Sequence, residues 1–202
     1  MPPPAVLYVE GPRDRDILEG WARAESARLG RALDDSAVIL GGRQPDRAAA
    51  HFLEERERRP GLRGLCVLDR DGGGEPMPPG LPGLEVFTWS RRHIESYLLV
   101  PSAIQRSLRN GDAGPRAARL LRRHLPSWDD EGALRDLDAK RLLSRHGPLA
   151  RDLGQPLVPG RIARFMRPDE LHADVSQLIE RLGELLLGVV SVVTLAASSR
   201  LR

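Results

Sequence analysis

An α/β fold with a mostly parallel sheet flanked by helices, followed by a helical C-terminal extension, is what this sequence predicts. Short apolar runs of strand length, bounded by turn residues, alternate with helix-period segments through the first half of the chain. The runs are continuous rather than alternating in polarity, as strands buried on both faces of a parallel sheet require. Beyond Val100-Pro101 only helical patterns remain, which places the α/β core at residues 1–101 and the extension packed on it at 102–202.

The elements follow in order. Val6, Leu7, Tyr8 and Val9 make the first strand, which ends at Glu10; Gly11-Pro12 then turns the chain. From Arg13 the apolar residues Ile17, Leu18, Trp21, Ala22 and Leu29 recur at helical spacing, in one helix ending near Gly30. Asp14 falls in its first turn, where a carboxylate suits the positive helix end. Ser36 to Leu40 reads as a second strand, closed by Gly41-Gly42, and Asp46 to Arg59 as a helix with a narrow apolar face stopped by Pro60-Gly61. The third strand, Leu65 to Leu68, runs into Asp69-Arg70-Asp71, and a Gly/Pro-rich loop from Gly72 to Gly83 leads to the fourth, Leu84 to Trp89. A helix carrying Glu95 follows. In the extension, helices are predicted over Ser102 to Leu108, Pro115 to Leu125, Asp129 to His146, Pro159 to Met166 and Pro168 to Leu187, the last with proline at its first position and acids in its first turn.

Glu10, Asp14, Asp69, Asp71 and Glu95 are the chemically suggestive residues. Ligands in open α/β sheets gather beyond the carboxyl ends of the strands, where these acids lie. Side chains at i and i+2 of an extended segment point the same way, so Asp69 and Asp71 can face one point. Carboxylates held close repel one another and raise each other's pKa, so the cluster needs divalent cations or basic groups. Hard oxygen ligands of this kind select magnesium or manganese over zinc.

The segments VEGPRD, LDRDG and SRRHIESYLL, each at a strand end and in this order, resemble the Toprim domain, and more narrowly the Toprim nuclease domain of OLD-family (overcoming lysogenisation defect) endonucleases. The resemblance is strong over the first half of the chain and weak over the second. It implies a Rossmann-like Toprim sheet and metal-dependent cleavage or nicking of DNA by two Mg2+ or Mn2+ ions about 3.5 to 4 Å apart. Glu10 matches the Toprim glutamate, Asp69 and Asp71 the Asp-x-Asp pair, and Glu95 the later acid of the nuclease branch; Asp14 joins them as a fifth ligand. Lys140, in DAKRLL, is similar to the family's downstream lysine segment and is the candidate for stabilising transition-state charge; the alternative is an ordinary surface lysine. Arg91 and Arg92 either hold a phosphate or neutralise the acids, and Arg119 and Arg123 either track a phosphate backbone or form a solvated helix face.

OLD-family enzymes carry an ATPase domain ahead of the Toprim domain, and this chain has no Walker A motif. The expected partners are therefore nucleic acid, DNA before RNA, and an ATPase supplied in trans, with a homodimer as a further expectation. The resemblance implies a setting in phage defence or DNA repair. A Toprim ribonuclease and a non-catalytic nucleic-acid-binding or regulatory subunit are the alternatives; Tyr8 in a strand and Tyr97 behind Glu95 suit no DNA-linking role. An unrelated flavodoxin-like domain is the blandest reading.

Composition is compatible with this reading. The formal charge is +3, aromatics are 4% of the chain, and Lys140 is the only lysine among 31 basic residues. The arginine excess suits bidentate phosphate binding without establishing it. The single Cys66, inside an apolar run, excludes a disulfide framework and reads as a buried, inert thiol. No signal peptide is visible, and the apolar stretch Leu185 to Ala197 is shorter than the ~20 residues that span a bilayer, so a cytoplasmic protein without a membrane segment is expected.

Overall fold

The computed structural model describes residues 4–70, 80–108, 115–127 and 130–188. Four strands, β1 (Ala5–Val9), β2 (Ala37–Ile39), β3 (Arg63–Leu68) and β4 (Leu84–Thr88), form one parallel sheet in the order β2-β1-β3-β4. The order reverses between β1 and β3, so the crevice of this sheet opens where Glu10 leaves β1 and Asp69 leaves β3. Each central strand buries both faces, which is why its sequence is continuously apolar. Leu7, Val9, Leu65 and Val67 face one side, and Val6, Tyr8, Cys66 and Leu68 the other.

Helix α3 (Pro45–Arg58) covers the second face with Ala48 and Phe52. The first face is covered by α1 (Pro12–Glu25), α2 (Ala27–Ser36) and helices of the C-terminal half: α4 (Pro101–Ser107), α5 (Pro115–His124), α6 (Glu131–Arg135), α7 (Ala139–Leu142), α8 (Pro148–Leu153), α9 (Pro159–Arg164) and α10 (Ala173–Leu187). One cluster of buried residues runs from Leu7 through Trp21 and Leu98 to Leu186, so the helical half completes the core of the sheet. Close approach makes this possible at α1 and α9. A Cβ on Gly20 would stand 2.3 Å from the Gly160 carbonyl oxygen, and one on Gly160 would stand 2.6 Å from that of Asp16.

The structure differs from the sequence reading at several boundaries. The first helix breaks at Ser26, which ends α1 and caps α2 by accepting a hydrogen bond from Leu29 N at 3.1 Å. Helix α2 then continues to Ser36, leaving β2 only Ala37–Ile39. Glu95 sits on a single 3-10 turn, Ile94–Leu98, instead of a longer helix. The stretch from Asp129 to His146 holds two short helices, α6 and α7, each capped by an aspartate, Asp130 and Asp138. Pro168–Glu170 is a 3-10 turn separate from α10, whose N-cap is His172. Asp71, the loop from Gly72 as far as residue 79, the Arg116 side chain and the apolar stretch beyond Gly188 lie outside the described residues. Among the described residues no helix is long and apolar enough to cross a membrane.

Candidate active site

Backbone geometry at the switch point assembles the site. The carbonyl of Glu10 accepts from Gly41 N and Gly42 N, both at 2.9 Å, so the chain folds over the end of β1. That turn takes φ of 83° at Gly41 and 131° at Gly42, a region open to glycine. It delivers Arg43, whose guanidinium donates to the Asp69 carbonyl. The Glu10 side chain crosses to β3, its Oε1 accepting from Asp69 N at 2.8 Å. Asp69 is committed in turn: Oδ1 accepts from Ile94 N at 2.8 Å, and Oδ2 receives Lys140 Nζ at 2.5 Å. One carboxylate thus ties β3 to the 3-10 turn bearing Glu95 and to α7 bearing Lys140.

Glu95 is 1% exposed. Its Oε1 faces Arg13 at 3.4 Å, and its Oε2 is buried with no hydrogen-bond partner among the described residues. Asp14 turns back toward Gly11, where an added Cβ would lie 3.0 Å from its Oδ2. Its carboxylate is stabilised by its own N–H and that of Gly11, the helix-start donors expected at α1.

The electrostatics follow from burial. Desolvation first, then the negative charges of Asp69 and Asp14, push Glu10 up to about 7, against the opposing bond from Asp69 N. Burial, then Asp69, raises Asp14 to about 6. Burial, with Asp14 and Asp69 adding to it, raises Glu95 to about 7. Burial works to lower Lys140, but its hydrogen bond to Asp69 and the charges of Asp69, Glu95 and Asp14 outweigh it and hold the ammonium above its ordinary value. Four carboxylates on three segments therefore act on one lysine.

The arrangement fits a hard cation in its donor chemistry: carboxylate oxygens alone, one of them an orphaned oxygen at full burial. Among the described residues no three acidic, histidine or cysteine side chains already converge to hold an ion. The ammonium of Lys140 occupies Asp69 instead.

The remaining residues singled out in the sequence are placed differently. The Arg91 guanidinium pairs with both oxygens of Glu131, at 3.0 and 2.5 Å, and donates at 2.9 Å to the carbonyl of Ser96, the residue after Glu95. Arg92 is exposed and its N–H holds the Arg135 carbonyl at 2.8 Å. With Arg70, which pairs with Asp136, these contacts lay α6 and α7 across the strand ends and so bring in Lys140. Arg119 and Arg123 lie exposed on α5. The sequence reading missed Arg13 and Arg43, and no local pattern separates these two from the other arginines. Cys66 is 1% exposed, and burial pushes its thiol up to about 12. Tyr8 donates to or accepts from His51 Nδ1 at 2.9 Å, and the Tyr97 hydroxyl donates to Asp174 at 2.5 Å, so both phenols are structural.

No protein-family model, characterised protein or solved structure matches the chain.

Proposed function

We propose that this chain is a metal-dependent nuclease of the Toprim type, cleaving or nicking DNA phosphodiester bonds. The placement of Glu10, Asp14, Asp69 and Glu95 around the switch point of a parallel sheet, with Lys140 seated on Asp69, carries this reading. Acids this buried are costly unless they serve a cation or a reaction.

Glu10, Asp14, Asp69 and Glu95, with Asp71, would hold Mg2+ or Mn2+. Two such ions, when bound, supply an activated water and stabilise the leaving oxygen. The chain's own residues do the rest. Lys140 offers an ammonium to the phosphate, and Arg13, exposed at the start of α1, offers a bidentate donor at the edge of the acids. Arg92, Arg119 and Arg123 are exposed cations for more distant phosphates. Arg91 is a positioning residue, since it holds α6. An ATPase in trans, a homodimer, a role in phage defence or DNA repair and a cytoplasmic setting belong to the same proposal.

The Lys140–Asp69 pair favours one second reading: an acid cluster neutralised from within, in a domain that binds nucleic acid without cutting it. Supercoiled plasmid incubated with the purified protein and Mg2+ or Mn2+ separates the two. Nicking or linearisation that EDTA stops, and that the Glu10→Ala, Asp69→Ala double variant lacks, is expected. Plasmid left intact while gel shift reports binding, with or without metal, would favour the second reading.

A further inference from the structure

Lys140 is the one lysine in the chain, and it sits on the carboxylate that ties β3 to the 3-10 turn bearing Glu95. Its side chain is 38% exposed while that of Asp69 is 1% exposed, so the lysine enters from the solvent side and caps a buried anion. Glu95, whose buried Oε2 has no hydrogen-bond partner among the described residues, adds its charge to that of Asp69 in holding the ammonium. A monovalent cation on a flexible four-carbon stem thus occupies a place where a divalent one would gain more from the same acids. Both cannot share Asp69 Oδ2 without strong repulsion.

We propose that Lys140 is the resident counter-ion of the acid cluster, and that a divalent cation binds by displacing its ammonium from Asp69, releasing it toward the solvent face where a phosphate would approach. This inference rests on the nuclease reading above and adds a regulation of that site. Metal loading and placement of the lysine become one event: without metal the cluster is closed on itself, and with metal the charge-stabilising group is set free. The stem makes this swing without moving α7, because Asp138 caps that helix independently through Arg141 N at 3.0 Å.

The only lysine makes the test direct. Reductive methylation with 13C-formaldehyde labels Lys140 and the terminal amine alone and keeps the positive charge. Mg2+ added to the labelled wild-type protein at constant pH is expected to shift the Lys140 methyl resonance toward that of a solvated lysine. Mn2+ binding, followed by the electron paramagnetic resonance of the free ion, is expected to tighten roughly tenfold in Lys140→Ala. Metal bound with the resonance unmoved, or a Lys140→Ala affinity no higher than wild type, would overturn the displacement and leave the nuclease reading standing. Absence of Mn2+ binding in both wild type and Lys140→Ala would overturn both.

Discussion

At Glu95 a carboxylate oxygen lies fully buried without a hydrogen-bond partner among the described residues, and burial lifts the group to about 7. Its ionised form is therefore a cost that a cation relieves. Glu95→Gln keeps the shape and removes the charge, so in EDTA at pH 8 the variant is expected to be more stable than wild type by roughly 1–3 kcal/mol. It should also lose most of the stabilisation that Mg2+ gives the wild type; thermal melts with and without the ion read both effects. Glu10, Asp14, Asp69 and Glu95 were legible in the sequence because each follows an apolar strand or opens a helix, positions whose location topology dictates. Arg13 and Arg43 were not, since their relevance depends on how α1 is rotated and on the path of the Gly41-Gly42 turn. Arg91 shows the converse. Four residues from Glu95 in sequence, it lies across the 3-10 turn, clamped to Glu131.

Among the elements, α1 carries Arg13 and Asp14, and its placement depends on contact with α9 through Gly20 and Gly160. A methyl group at either glycine meets backbone that cannot swing aside. Gly20→Ala and Gly160→Ala are each expected to destabilise the fold by about 1–3 kcal/mol, as overpacking does, with chemical denaturation as the measurement. Clamping of α6 by Arg91 makes a separate prediction: Arg91→Ala should loosen α6 and α7 and lower the proposed nuclease activity by roughly tenfold or more, while Mn2+ affinity stays equal or rises as Lys140 leaves Asp69. Activity and metal affinity falling together would place Arg91 elsewhere in the mechanism. Strands and the long amphipathic α10 were readable from periodicity. The break at Ser26 and the division into α6 and α7 were not, because helices of one or two turns end through a cap, and Ser26, Asp130 and Asp138 resemble ordinary helix-surface residues in sequence.

For the molecule as a whole, the sheet order β2-β1-β3-β4 sets one crevice, and the helical half supplies both its hydrophobic cover and its lysine. The parallel α/β architecture followed from alternating strand and helix patterns. That the extension reaches back to the site was expected only through the resemblance carried by the segment around Lys140, because long-range packing of α6 and α7 leaves no periodic mark. Charge assembled this way gives the metal-free protein a pH signature. Glu10 and Glu95 are raised to about 7 and Asp14 to about 6, so the stability they contribute is fully present below their unfolded values of 4.5 and 3.8 and is lost as pH rises through the folded values. In EDTA, melting temperature should fall between about pH 4.5 and 7, and millimolar Mg2+ should flatten that fall.

Crystals of the protein soaked in Mn2+ and examined at a wavelength sensitive to manganese test the central claim most directly. The expected result is an anomalous peak between the carboxylates of Glu10, Asp14, Asp69 and Glu95, with Lys140 Nζ withdrawn from Asp69. A map with no such peak at saturating Mn2+, and Lys140 still seated on Asp69, would contradict the assignment of this cluster as a metal centre.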